Sequence, residues 1–281
     1  MRPNSRSAFT TVLFGLCAWL VLGLGTAQAA DRARIEAFMQ TTGFDVALDS
    51  IRLSADSAPQ MLGLEAADFG AAWSGLVREV FDTALMHDMA LDILEQTLSD
   101  DLLTHAADFY ASDLGQRLVV AENASHMLED EELKAESGAA IVDGLVRIGS
   151  PRVAGLRRLI LATDSTGNSV RAIQEVQVRF LMAAAGAGVI DLQMDENDLR
   201  ERLGSEEGAM RLVLQTNALA NAAYTYQAFS DAELAAYADA LENDQMRLVY
   251  ELMNAVQFEI MANRFEAVAR GLTALQPSQD L

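Results

Sequence analysis

From Arg32 onward, apolar side chains recur every three or four positions, the spacing that gathers them on one face of an α-helix. Residues 32–41 carry Ile35, Phe38 and Met39 on one stripe and predict a first helix, which Gly43 breaks; 44–53 resumes the pattern through Val46, Leu48, Ile51 and Leu53. The segment 65–97 places Phe69, Trp73, Leu76, Val80, Phe81, Leu85 and Met89 at helical spacing, and 100–111, 113–132 and 137–149 follow it. Ser150-Pro151 starts another helix, because the first helical position does not need the N–H that proline lacks. Asp164-Ser165-Thr166-Gly167-Asn168 reads as a loop. Helices are then predicted over 169–185, 195–203, 207–228, 231–242 and 245–274, with fraying from Pro277. Ala, Leu, Met and Glu are abundant, and beyond residue 31 proline occurs only at 59, 151 and 277. The expected fold class is all-α.

One pattern occurs twice. Leu98-Ser99-Asp100 and Phe229-Ser230-Asp231 are helix starts of one design: a serine N-cap, an acid facing the positive end of the helix dipole, and an apolar residue before the cap that packs on Leu103 or Leu234. Glu233 completes a capping box that Leu102 cannot. Ala107-Asp108 matches Ala238-Asp239, polar breaks follow at Ser112-Asp113 and Asn243-Asp244, and each next helix contains Arg-Leu-Val, at 117–119 and 247–249. Two Ala/Leu-rich helices can share such a pattern by chance, but the common cap, break and Arg-Leu-Val favour duplication. No linker divides the chain, so the expectation is two similar helical lobes, 31–149 and 150–281, packed through the middle helices, with motifs at 98–118 and 229–249.

The stretch from Leu98-Ser99-Asp100 through Phe109-Tyr110-Ala111-Ser112-Asp113-Leu114-Gly115-Gln116-Arg117-Leu118 resembles bacterial domain of unknown function 2059, a family of exported helical proteins. The resemblance covers about 31–130, with a weaker copy over 178–275. Asp113 stands where the family pattern has proline, and the second copy has Leu241, Asn243 and Met246 where the first has Tyr110, Ser112 and Gly115. The resemblance implies a fold and an exported address, and no activity. Physically the motif is architectural: Phe109 and Tyr110 bury large areas, Ser112 caps the next helix, and Gly115 permits close approach.

The start of the chain changes the picture of its address. Met1, Arg2 and Arg6 precede an apolar run from Val12 to Leu24 that ends in Ala27-Gln28-Ala29, the pattern of a secretory signal over 1–29. A retained anchor would need about 20 apolar residues. Leu16 precedes Cys17 where a lipoprotein signal has a small residue, so acylation is not expected. Cleavage leaves a chain without cysteine, which must fold on its apolar core. Losing Arg2 and Arg6 from 20 basic side chains leaves 18 against 41 acidic ones and moves the formal charge from −21 to −23. That charge excludes nucleic acid as a partner and disfavours an anionic membrane surface. The run Phe180 to Ile190 is about half a membrane span, so no transmembrane segment is expected after the signal.

Chemistry is harder to find. There is no Gly-x-Ser-x-Gly elbow, no His-Glu-x-x-His and no glycine-rich phosphate loop. The best metal-like spacing is Glu122, His126 and Glu129 on one helix, which reads first as a solvated face; His105 with Asp108 is weaker still. The methionines are scattered and suit core filling. No catalytic, cofactor or metal site is assigned. The residues singled out are structural: Ser99, Phe109, Tyr110, Ser112, Gly115, Ser230 and Glu233. The leading functional expectation is a non-catalytic binding or interaction protein of the bacterial cell envelope, periplasmic or secreted, whose partner is an envelope protein or an apolar ligand. The alternative is a periplasmic hydrolase whose carboxylate or Ser-His site forms only in three dimensions.

Mass spectrometry of the protein from an envelope fraction is expected to find an N-terminus at Ala30 or Asp31. A retained Met1 or a lipid-modified Cys17 would contradict the export reading.

Overall fold

The computed structural model describes residues 32–164 and 167–275. The signal segment with Cys17, Ser165 and Thr166 of the predicted loop, and the fraying from Pro277 lie outside the described residues. Among the described residues every regular element is a helix, and the fold is all-α.

Helix α1 spans 32–42. It turns at Gly43, whose φ of +74° a side chain would strain, into α2, Phe44–Ser50. After a short 3₁₀ turn, Ile51–Ser54, comes α3, Ser57–Gln60. The predicted segment 65–97 is a 3₁₀ turn and two helices, α4 (Gly70–Val80) and α5 (Thr83–Thr97). Asp82 divides them: it takes an extended conformation and its carboxylate accepts from Leu85 N–H at 2.9 Å, starting a new helix in mid-pattern. Helix α6 (Asp100–Tyr110) and α7 (Asp113–His126) follow. Helix α8, Glu131–Arg147, starts well before the predicted 137, because Asp130 caps it at Leu133 N–H (2.9 Å) and Glu131 and Glu132 face its positive end. The remaining helices are α9 (Arg152–Thr163), α10 (Ser169–Gly186), α11 (Glu196–Ser205), α12 (Glu207–Thr225), α13 (Asp231–Leu241) and α14 (Asp244–Gly271).

The 28-residue α14 organises the packing. It lies along α10 and also touches α3, α4, α5, α6, α9 and α13, so its buried positions Met246, Val249, Val256, Ile260, Phe265 and Val268 meet both parts of the chain. Phe265 is edge-on to Phe81 and to Phe180, with ring centres 5.9 and 6.1 Å apart. Helix α8 pairs with α12, and α9 with α13. Most buried apolar side chains from Ile35 to Leu272 form one continuous cluster, so the stretches before and after residue 150 share a core through the last helix as well as through the middle ones.

The two corners noticed in the sequence have matching local geometry. Helices α6 and α13 are both 11 residues long, with Ser99 Oγ accepting from Leu102 N–H at 3.4 Å and Ser230 Oγ from Glu233 N–H at 3.3 Å. Glu233 returns the bond to Ser230 N–H at 2.8 Å. Each helix ends in a short turn whose last residue caps the next: Ser112 accepts from Gly115 N–H at 3.1 Å, and Asn243 from Gln245 N–H at 2.9 Å. Duplication of the corner remains a proposal that this likeness supports. None of the described helices is long and apolar enough to cross a membrane; the Phe180 to Ile190 run ends α10 at Gly186 and turns at Gly188, φ +76°.

Two glycines mark the closest approaches. A Cβ on Gly115 would fall 2.6 Å from Tyr110 Cα, so the tight α6–α7 corner requires its absence. A Cβ on Gly138 of α8 would fall 2.6 Å from the Ala220 carbonyl carbon of α12, whereas Gly144 on the same helix has open space. Gly138→Ala is expected to cost about 1–3 kcal/mol by overpacking, and Gly144→Ala to gain about 0.5–1 kcal/mol from helix propensity. Urea unfolding of both variants checks this, and equal effects would contradict the close α8–α12 contact.

Candidate functional site

Helix α7 turns one face inward with Gly115, Leu118 and Val119. Glu122 lies four positions after Leu118 and three after Val119, so it continues that buried stripe rather than a solvated one. Its Oε1 accepts a hydrogen bond from Tyr226 at 2.7 Å and another from Tyr237 at 2.9 Å. Tyr237 also lies 3.1 Å from the Tyr110 hydroxyl and 2.9 Å from that of Tyr250, and the Tyr110 and Tyr250 hydroxyls bond to each other. Four of the five tyrosines in the chain thus converge on one carboxyl, from α6, the end of α12, α13 and α14. Phe109 stacks on Tyr237 with ring centres 5.8 Å apart and planes 7° from parallel, and Tyr226 meets Tyr237 edge-on at 6.0 Å.

Five hydrogen-bond contacts link the four phenols and Oε1. Burial raises the Glu122 pKa, while the bonds from Tyr226 and Tyr237 pull it partly back. Burial, with the nearby Glu122 charge, also raises Tyr226 and Tyr237, and burial with the neighbouring Tyr250 and Glu122 raises Tyr110. The phenols therefore stay protonated donors.

The node forms one wall of a cleft of about 260 Å³. The α1–α2 corner contributes Thr42, Gly43, Phe44 and Ala47, α7 contributes Glu122, Asn123 and His126, and α14 contributes Val249, Tyr250, Met253, Asn254 and Gln257. His126 is exposed at the rim and makes no hydrogen bond among the described residues; crowding by protein on its cleft side, with the Lys134 ammonium nearby, lowers its pKa. Lys134 itself is buried and donates to the Ser125 carbonyl at 3.1 Å. A neighbouring cavity of about 290 Å³ between α10 and α14 shares Thr163 and Asn254 with the cleft, and its single arginine, Arg179, is already held by Glu259 and Glu266.

The residues singled out from the sequence fall into two groups. Tyr110 joins the node, and Phe109 supports it. Ser99, Ser112, Ser230, Gly115 and Glu233 shape the corners around it. Arg117 pins those corners together, donating to Glu233 at 2.5 Å and lying 5.1 Å over the Phe229 ring. The Ser230 N–H and hydroxyl, with Arg117, hold the Glu233 pKa down to about 2. The metal-like trio does not gather: Glu122 points into the tyrosines, Glu129 is exposed beyond the end of α7, and among the described residues no three His, Cys, Asp or Glu side chains are placed to hold a metal ion. His105 and Asp108 do not line the cleft. Sequence reasoning missed Tyr226, Tyr237 and Tyr250 altogether. The available signal was the register of α7, which puts an acid on an apolar stripe.

Residues 85–143 match the model of a family described as "Uncharacterized protein conserved in bacteria (DUF2059)". This segment resembles that bacterial family. The match is shorter than the expected 31–130 at its start and longer at its end, running from α5 into α8. It contains Tyr110 and Glu122, while Tyr226, Tyr237, Tyr250 and the second motif lie outside it. No curated protein and no solved structure matches the chain.

Because the folded pKa of Glu122 is raised, its contribution to stability is complete below the ordinary carboxylate range and is lost as pH rises through the raised value. Glu122→Gln stays neutral throughout. The stability of wild type relative to Glu122→Gln, read from urea unfolding across pH, is therefore expected to fall over that window. A difference that grows with pH would contradict a proton-holding Glu122.

Proposed function

We propose that the protein is a non-catalytic binding protein of the bacterial cell envelope that holds a small ligand in the cleft beside Glu122. One observation carries this reading: both phenolic bonds fall on Oε1, leaving Oε2 of a cleft-lining carboxyl without a protein donor. An acceptor held rigidly by its partner oxygen, between apolar walls at Phe44, Ala47, Val249 and Met253, is the arrangement of a ligand site. The cleft draws on residues from both predicted lobes, which suits capture between them. The envelope address rests on the N-terminal signal pattern, and a protein partner from the envelope remains the other occupant consistent with the acidic helical surface.

A second reading, a periplasmic hydrolase, is favoured by one observation: Glu122 with a raised pKa and His126 with a lowered one face the same cleft from one helix. Against it, Glu122 is the only carboxylate among the described residues lining that cleft, whereas the paired-carboxyl chemistry of glycoside cleavage takes two.

Native purification followed by mass spectrometry of released small molecules tests the proposal. Wild type is expected to carry a compound that a cleft-filling Met253→Trp variant of equal helicity does not. A protein that carries nothing yet cleaves envelope polymers, with activity lost in Glu122→Gln or His126→Asn, would establish the hydrolase instead.

A further inference from the structure

The chemistry of the cleft narrows the ligand. Among the described residues its lining contains no lysine or arginine, so a carboxylate or phosphate would enter beside Glu122 with no such cation to neutralise it. The ionisable groups facing Glu122 are Tyr110 from α6, Tyr226 at the end of α12, Tyr237 from α13, Tyr250 from α14 and His126 along its own helix; α2, which also packs on α7, puts none in the cleft. All four phenols are donors already committed within the node. Oε2 opens onto the cleft as the position left for a ligand's donor, and a chain of net charge −21 concentrates cations around itself.

We propose that the cleft binds a small primary amine as its ammonium ion, with N–H donated to Glu122 Oε2 and the carbon skeleton against Phe44, Val249 and Met253. This deepens the binding reading above and rests on it. A charge-assisted bond to a carboxylate is roughly twice as strong as one between neutral groups, and the ammonium supplies the countercharge that the protein does not. Where the raised pKa leaves Glu122 protonated in the empty cleft, the exchange balances as Glu122–COOH plus R–NH₃⁺ giving the carboxylate–ammonium pair plus one proton released to solvent. Affinity therefore rises with pH until the unliganded Glu122 is ionised. Protonation of His126 at the rim acts in the same direction and is removed as a contributor by His126→Asn.

Isothermal titration of the natively purified protein with benzylammonium, benzyl alcohol and benzoate, over roughly pH 5–8, tests this. The expected order is benzylammonium tighter than benzyl alcohol by about tenfold or more, with benzoate weakest. Titration in two buffers of different ionisation enthalpy is expected to show proton release on binding the ammonium. Benzyl alcohol or benzoate binding as tightly as benzylammonium would overturn the amine while leaving a binding cleft. Failure of all three to bind would overturn the cleft reading together with it. The wild-type comparison decides alone; a folded Glu122→Gln variant that kept the ammonium preference would also overturn the proposal. Nα-acetyl-lysine amide, binding as well as benzylammonium, would place the amine on a protein side chain, and weaker binding would place it on a free small molecule.

Discussion

A carboxyl group drawn partly out of water is held by hydrogen bonds or by a proton, and one such group, half-buried at the wall of the cleft, gathers several helices of this protein. Glu122 cannot be satisfied by its own helix. Its donors come from Tyr226 and Tyr237, 104 and 115 positions away in sequence, and those phenols are steadied in turn by Tyr110, Tyr250 and Phe109. The requirement brings α6, α7, α13 and α14 to one point. A partly satisfied node of this kind is costly, so the corners on either side have to be exact in register. The absent Cβ at Gly115 and the caps at Ser112 and Ser230 provide that register.

The surface meets a different demand. With 41 acidic side chains against 20 basic ones, like-charge repulsion opposes compaction, and three arginines sit where two or three carboxylates meet between helices. Arg32 joins Asp88, Asp92 and Glu95, Arg158 joins Asp239 and Glu242, and Arg179 joins Glu259 and Glu266. Single exposed pairs contribute little. Their effect here lies in tying α1 to α5, α9 to α13 and α10 to α14, so that the acidic excess faces solvent while the contacts between helices are neutralised. Among the described residues the cleft is lined by one acid and no arginine, which separates its chemistry from that of the surface.

The fold was legible in the sequence where its causes are local. The three-to-four spacing yields the helices, and Ser99, Ser112 and Ser230 cap them from the positions their neighbours suggest. Asp82 and Asp130 were not legible, since an aspartate that caps a helix is written in the same letter as one that merely faces water; the predicted 65–97 helix broke and α8 began early for that reason. The site was less legible still. Glu122 was grouped with Glu129 by spacing, although Leu118 and Val119 already pointed it inward, and nothing near Tyr226, Tyr237 or Tyr250 signals that they share a partner. A node built from separations above 100 residues leaves no periodic trace.

The account turns on the proton of Glu122, and carbon-13 NMR of the glutamate side-chain carboxyls observes it directly. The Glu122 resonance is identified as the one missing from Glu122→Gln. Its titration midpoint is predicted to lie clearly above the unperturbed glutamate value of about 4.3. A midpoint at or below that value would mean an ionised Glu122 satisfied by its phenols alone, and would contradict the proton-holding carboxyl on which the account turns.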